Sequence, residues 1–270
     1  MTPEIFAPVP LRADTSWFWH GSPSFSPDLS EIYFVKYLKG RNATEIHRMK
    51  RKGLVWGAPE KAFFSKAESR DNNPFFLGPE TLLFYSSRFG GSICRIEMPG
   101  GQGAGPVAVA LDIPAGKTLG KQFSVTKGGV IYSELWNNDD SDADLYRWSP
   151  VNGTYPAFER LSGNVNGPAY DFNPFVDPEE KILLFDSQRP GGFGKTDLYM
   201  SFKNADGTWT KAVNLGPLIN SAAEESFPSI TPDGKNFFFC REGEFGFDPY
   251  WVDIQALEGL RPAEARSVKK

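Results

Sequence analysis

Acidic side chains precede three strand-like segments of this sequence, and an arginine follows the next strand-like segment in each case. Carboxylates so placed can form ion pairs with the arginines, bind a cation such as Ca²⁺, or act as acid, base or nucleophile on a glycosidic bond. The residues concerned are Asp71, Asp171, Glu224, Glu225, Arg88, Arg189 and Arg241, with His20 and Trp17 in the corresponding place near the start of the chain. Their recurrence indicates a repeated structural unit.

A unit of about 50 residues recurs along the whole chain. Each copy, for example SFPSITPDGKNFFFC at 226–240, contains a short strand, a tight turn and an aromatic strand, followed by a polar loop and a third strand. The turn is Pro-Asp or Pro-Glu in four copies, whereas the third copy departs most from the repeat and has VTKGG there. The copies begin near residues 23, 74, 122, 174 and 228. Four antiparallel strands per copy indicate an all-β fold, a β-propeller of five blades, with six blades as an alternative. A two-sheet sandwich or two tandem β domains is the competing interpretation.

The last copy contains three clear strands but no convincing fourth strand. An open ring would leave strand edges unpaired. We therefore predict that residues 4–11 complete the last blade, and that the chain, 1–270, forms a single domain closed by this N-terminal strand.

Charge and composition restrict the partners. With 29 basic and 33 acidic residues, the net charge of -4 does not favour nucleic acid or an anionic membrane as a partner.

Cys94 and Cys240 lie in apolar runs and are expected to be buried free thiols. The opening MTPEIFAPVPL lacks the features of a signal peptide, and no run is long enough to span a membrane. We expect a soluble monomer.

The repeated P-x-[FI]-x-P-[DE] turn and the segment from RPGGFGK to TPDGK, at 189–235, resemble the WD40-like PD40 repeat family, known from the C-terminal propeller of the TolB translocation protein. The resemblance extends over essentially the whole chain. It implies a bacterial propeller that binds other proteins, located in the periplasm or secreted if a signal peptide has been removed.

In a propeller, the connectors between blades and the loops between second and third strands surround one mouth of the central channel. There the acids can pair with arginines of neighbouring blades, or converge on a polar molecule or a Ca²⁺ ion. We predict a non-enzymatic binding or scaffold propeller that engages a protein or a small polar ligand, such as a carbohydrate, at this mouth and requires no cofactor. The alternative is a glycoside hydrolase-like enzyme that uses the rim carboxylates.

Overall fold

Each sequence copy folds into an antiparallel sheet, and the five sheets are the blades of a β-propeller, as predicted. The computed structural model describes residues 2–6, 13–99 and 103–260. The first strand, β1 (Glu4–Ile5), belongs to the last blade. The first blade comprises β2 (Trp17–Trp19), β3 (Ser24–Phe25), β4 (Glu31–Leu38), β5 (Ala43–Lys52), β6 (Val55–Trp56) and β7 (Glu60–Lys61).

The other blades each contain four strands. In each blade the first strand named lies at the channel and the last strand named is outermost. The second blade comprises β8 (Asp71–Phe76), β9 (Thr81–Ser86), β10 (Ser92–Glu97) and β11 (Val107–Ala108). The third comprises β12 (Lys117–Val125), β13 (Ile131–Asn137), β14 (Ala143–Trp148) and β15 (Glu159–Arg160). The fourth comprises β16 (Asp171–Val176), β17 (Ile182–Ser187), β18 (Asp197–Phe202) and β19 (Val213–Asn214). The fifth comprises β20 (Glu225–Ile230), β21 (Asn236–Gly243), β22 (Gly246–Asp253) and, outermost, β1.

The N-terminal strand closes the ring, as the sequence predicted. Glu4 pairs with Trp251 and Ile5 with Tyr250, so β1 is the outermost strand of the fifth blade. The Phe6 N–H continues the pairing by donating to a backbone carbonyl 2.8 Å away. The rest of the predicted segment, residues 7–11, lies outside the described residues.

The aspartates of the Pro-Asp turns have a local structural role. Asp28 and Asp233 each accept a hydrogen bond from the backbone N–H two residues further on, at 3.0 and 3.2 Å. Asp177 accepts from Lys181 and Ile182. These bonds stabilise the tight turn between the first and second strands. The turns define one face of the ring, which we call the turn face; the opposite face is the loop face.

The innermost strands contain bulges halfway along the channel. The pairing register of β8, β12, β16 and β20 with their neighbours shifts in the middle of each strand. In three of them a residue adopts the left-handed backbone region: Asn73, Asn173 and Phe227, with φ of 47°, 51° and 58°. Asparagine tolerates this region, whereas phenylalanine seldom occupies it. Surrounding contacts must therefore stabilise the backbone at Phe227.

The hydrophobic core is divided among the five gaps between adjacent blades. Phe237 and Phe239 pack between the fourth and fifth blades, whereas Phe238 contacts Phe6 and Phe25 on the opposite side of the fifth sheet. Cys94 and Cys240 are buried free thiols, as predicted. Within the described residues, no helix is long and apolar enough to cross a membrane.

Candidate functional site

The predicted rim carboxylates begin three of the inner strands, at the loop face. Asp171 is the first residue of β16, is fully buried, and lies 2.6 Å from the guanidinium of Arg189. It also accepts the backbone N–H of Gly167, which lies in the connector from the preceding blade. We call three such pairs the rim ion pairs: Asp171–Arg189, Asp71–Arg88 at 3.2 Å and Glu225–Arg241 at 2.7 Å.

Each arginine belongs to the same blade as its carboxylate, and not to a neighbouring blade as expected. The reason is register: Asp171 faces Ser187 across the sheet, so Arg189, two residues beyond, folds back over its own strands. The contact with the preceding blade is made by backbone, since Arg189 donates to the carbonyl of Val165 at 2.7 Å. Its guanidinium also lies 4.6 Å from the centre of the Tyr199 ring. The rim ion pairs therefore join each connector to the next blade.

The remaining predicted site residues lie in different surroundings. Glu224 is half-buried, and burial together with the nearby Glu242 raises its pKa. Trp17 is buried between the fifth and first blades, with the ammonium of Lys36 4.1 Å from its ring centre. His20 lies inside the channel, where burial lowers its pKa to about 4, so the imidazole is neutral at pH 7. These three residues do not join a rim ion pair.

The carboxyl groups of the rim ion pairs make their contacts within the protein. Burial raises the pKa of Asp171, and Arg189 opposes that shift. A catalytic carboxylate must contact its substrate, whereas both oxygens of Asp171 already accept hydrogen bonds from Arg189 and the connector. Ligand binding and glycoside hydrolysis by the rim carboxylates stay predictions.

Two carboxylates that the sequence analysis missed lie inside the channel wall. Glu134 in β13 and Asp186 in β17 have exposed fractions of 3% and 0%. Glu134 accepts the backbone N–H of Asn173 at 3.3 Å, and Asp186 accepts that of Phe227 at 3.2 Å. Each carboxyl group thus binds the left-handed bulge residue of the following blade.

Burial shifts the pKa values of both channel carboxylates upward. Burial raises the pKa of Glu134 to about 7 and that of Asp186 well above its usual range, with the neighbouring Glu134 adding to the shift of Asp186. Glu134 also lies directly against the backbone of β12, because a Cβ atom at Gly120 would be 1.9 Å from its Oε1. A glycine at this position is therefore required for the carboxyl group to sit there.

Replacing Glu134 with glutamine is expected to flatten the pH dependence of stability. The folded protein binds the Glu134 proton more tightly than the unfolded chain does, so the wild type should lose stability as pH rises from 4.5 to about 7. The loss is roughly 3 kcal/mol. Urea unfolding at about pH 5 and about pH 7.5 measures it, with the exposed Glu159→Gln as the control. An undiminished loss of stability in Glu134→Gln would contradict the assignment.

A cavity of about 420 Å³ opens at the turn face of the channel. We call it the turn-face funnel. Its walls are the halves of the inner strands that lie nearest the turn face. They contribute the apolar side chains Phe25, Phe75, Phe123, Phe175 and Ile230 and the prolines Pro23, Pro74, Pro174 and Pro228. From the sequence we predicted a binding site at the opposite mouth, on the loop face.

The floor of the turn-face funnel is polar. It is formed at the level of the bulges by Asn73, Gln122 and Asn173. The Nε2 of Gln122 is buried and has no hydrogen-bond partner within the described part of the chain. The cavity therefore combines apolar walls with amide-bearing residues at its base.

A metal site was one expectation for the loop-face mouth. Across residues 2–6, 13–99 and 103–260, no group of three or more His, Cys, Asp or Glu side chains is arranged to hold a metal ion. Because Ca²⁺ also accepts backbone and amide oxygens, its binding at the mouth stays a prediction.

Solved structures share this arrangement of strands. The endo-arabinase from Bacteroides thetaiotaomicron matches with a TM-score of 0.57 and 14% identity, over 93% of this chain and 97% of that one. The α-L-arabinanase from Penicillium chrysogenum gives 0.52 and 12%, over 93% and 80%. A puromycin hydrolase mutant gives 0.48 and 17%, covering 83% of this chain but 36% of that one. The likeness shows the fold alone.

No protein-family model matches the chain, and no curated protein matches it. The β-propeller fold is shown, while the resemblance to the PD40 family is not confirmed. The chain spans about a third of the length of the puromycin hydrolase that it matches, 36%.

The missed carboxylates had a signal in the sequence. One position near the end of the aromatic strand faces the next blade. In the five aligned copies the residues at this position are Val35, Tyr85, Glu134, Asp186 and Cys240. A carboxylate that follows IYS or LLF stands in an otherwise apolar strand. Buried carboxylates require hydrogen-bond donors, so this position could have been identified as a polar contact between blades.

Proposed function

We propose that this propeller is a non-enzymatic binding protein that takes a small uncharged molecule, with an apolar body and a polar end, into the turn-face funnel. The observation that carries the proposal is the funnel itself, a cavity of about 420 Å³ surrounded by inner strands from all five blades. This volume is in the range of small-molecule sites, roughly 300 to 1,000 Å³.

The walls favour an uncharged apolar ligand body. Five aromatic or aliphatic side chains and four prolines line the funnel, and burial of apolar ligand surface there contributes about 25 cal/mol per Å². The Asp177 carboxyl at the mouth already accepts backbone N–H groups of its own turn. A charged ligand would lose hydration without gaining an ion pair.

The floor favours a ligand with one polar end. The Gln122 Nε2 is buried and lacks a partner among the described residues, so a carbonyl or hydroxyl oxygen reaching the floor would satisfy it. A buried donor left unpaired costs about 1 to 3 kcal/mol. This contact would orient the ligand along the channel.

Filling the funnel should weaken binding. Ser229 is half-buried and lines the cavity, so Ser229→Trp is expected to weaken binding of the uncharged dye Nile red by about tenfold or more, equal to about 1.4 kcal/mol. Fluorescence titration measures the affinity. Ser149→Trp, at an exposed position in the outer part of the third blade, is the matched control.

Two results would count against the proposal. One is equal dye affinity in Ser229→Trp and wild type, which would place the dye elsewhere. The other is turnover of a glycoside that is lost in Asp171→Asn or Glu225→Gln, which would favour the hydrolase alternative instead.

A further inference from the structure

One side chain crosses the channel at the floor of the turn-face funnel. Gln122 belongs to β12 of the third blade, yet its Nε2 lies 3.7 Å from the position that a Cβ atom would have at Gly21 of the first blade. The second blade stands between these two blades in the ring, because separate apolar clusters join the first blade to the second and the second to the third. The Gln122 side chain therefore spans the channel instead of lying against its own strand.

The sequence explains why the third blade sends a side chain across. In the aligned copies, the position of Gln122 is proline in the other four blades, at Pro23, Pro74, Pro174 and Pro228. A proline ring is bonded to its own backbone nitrogen and cannot extend toward the channel axis. The third copy has a long unbranched side chain in place of this ring.

The base of the Gln122 side chain is fixed by its own blade. Its backbone N–H donates to the Glu134 carboxyl at 3.4 Å, and its carbonyl accepts the Ser133 hydroxyl at 2.7 Å. The amide nitrogen at the tip is buried and has no hydrogen-bond partner within the described part of the chain. The side chain therefore closes the channel by its volume.

The lining of the turn-face funnel ends at the level of Gln122. Each blade enters the lining at one residue and continues from there toward the turn face; these first residues are Ser22, Asn73, Gln122, Asn173 and Phe227. Two contacts between blades close the floor beside Gln122. The Asn73 amide donates to the Phe123 carbonyl at 2.6 Å, and the Ser22 hydroxyl donates to the Phe227 carbonyl. A ligand that enters from the turn face reaches Gln122 and can go no further.

We propose that Gln122 is the stop that sets the length of the ligand: the funnel takes compact or short-chain uncharged molecules, and longer members of the same series bind no better. Each added methylene group strengthens binding only while the chain still fits between the mouth and Gln122. A longer chain leaves its end in water at the turn face. The inference rests on the proposed function, because it concerns the length limit of the same cavity.

Displacement of Nile red from the full chain by the unbranched primary alcohols from hexanol to dodecanol tests this role. In the wild type, affinity should rise by about fourfold per methylene group and level off once the chain fills the funnel. In Gln122→Ala the rise should continue, so that an alcohol about two methylene groups beyond the wild-type limit binds about tenfold more tightly than the alcohol at that limit. In the wild type these two alcohols should bind within about twofold of each other.

Gln122→Met is the matched control, since methionine keeps the length of the side chain and removes the amide. Its affinities should level off at the wild-type chain length. Gln122→Asn, which is shorter than glutamine, should move the limit in the same direction as Gln122→Ala but by less. Circular dichroism melting checks that each variant is folded. A limit that moved equally in Gln122→Met and Gln122→Ala would refute the stop.

Failure of this inference is distinguishable from failure of the proposed function. If no alcohol displaces the dye, or if Ser229→Trp leaves dye binding unchanged, the funnel is not the ligand site and both are wrong. If Ser229→Trp weakens binding of the dye and of the alcohols, while folded Gln122→Ala and Gln122→Asn level off at the wild-type chain length, the funnel binds the ligand but Gln122 does not limit its length.

Discussion

Replacing Arg189 with alanine is expected to lower the free energy of unfolding by about 3 to 5 kcal/mol. Asp171 is fully buried, and Arg189 lies 2.6 Å from it. Without the guanidinium, Asp171 is left as an unpaired buried carboxylate or must take up a proton. The variant also loses the donor to the Val165 carbonyl, which joins the connector to the fourth blade. Urea unfolding at neutral pH measures the loss.

The matched control is Arg160→Ala, which breaks a 2.6 Å ion pair with Asp144 in which the arginine is 47% exposed. That loss should be at most about 1 kcal/mol, since solvent screens exposed pairs. Removing both partners in Asp171→Asn, Arg189→Met should cost less than Arg189→Ala alone, because no charge is left buried. Equal losses for Arg189→Ala and Arg160→Ala would disprove a structural role for the rim ion pair.

Asp186→Ala is expected to destabilise the propeller by a similar amount, about 3 to 5 kcal/mol, because several buried donors lose one acceptor. Asp186 accepts hydrogen bonds from the side chains of Asn173 and Ser226 and from the backbone N–H of Phe227. It therefore stabilises Phe227 at a φ of 58°, where a bulky side chain is strained. Thermal and urea unfolding measure the effect.

Asp186→Asn is the matched control, since it keeps the shape and one acceptor oxygen. Burial raises the pKa of Asp186 well above its usual range, so removing the charge from this group costs less than at an exposed carboxylate. We expect Asp186→Asn to lower the free energy of unfolding much less than Asp186→Ala does. Relative to wild type, the loss in Asp186→Asn should shrink as pH rises, because only the wild-type carboxyl group has a proton to release. If Ala and Asn were equally stable, the hydrogen bonds to Asp186 would not be what supports the bulge.

The strands and turns were predictable because the signals are local. Three of the copies combine a turn whose aspartate binds its own backbone with an apolar strand, and both depend on residues within a few positions of each other. The use of residues near Glu4 as the closing strand was predictable for a different reason. A ring with one strand missing leaves an unpaired edge, and only the start of the chain remained to fill it.

The candidate site was predictable only in part. The alignment of the copies placed Asp171 and Arg189 near one another at the loop face, as the structure does. It did not reveal that Arg189 folds back onto its own blade, since that depends on pairing register across two strands. Nor did it assign Glu134, which belongs to the third copy, where VTKGG replaces the Pro-Asp or Pro-Glu turn.

The sequence by itself determined the propeller repeat, the order of the blades and the closure of the ring, because these follow from the repeat and from the need to pair every strand; it favoured five blades over six, and the structure has five. Only the tertiary structure decided which polar groups are paired and which remain available. Asp171 is paired with Arg189, whereas the side chain of the equally buried Asn72 has no hydrogen-bond partner among the described residues. The reason is physical: hydrogen bonding of a buried group depends on side chains brought together from different blades, and their distances are not encoded in local patterns.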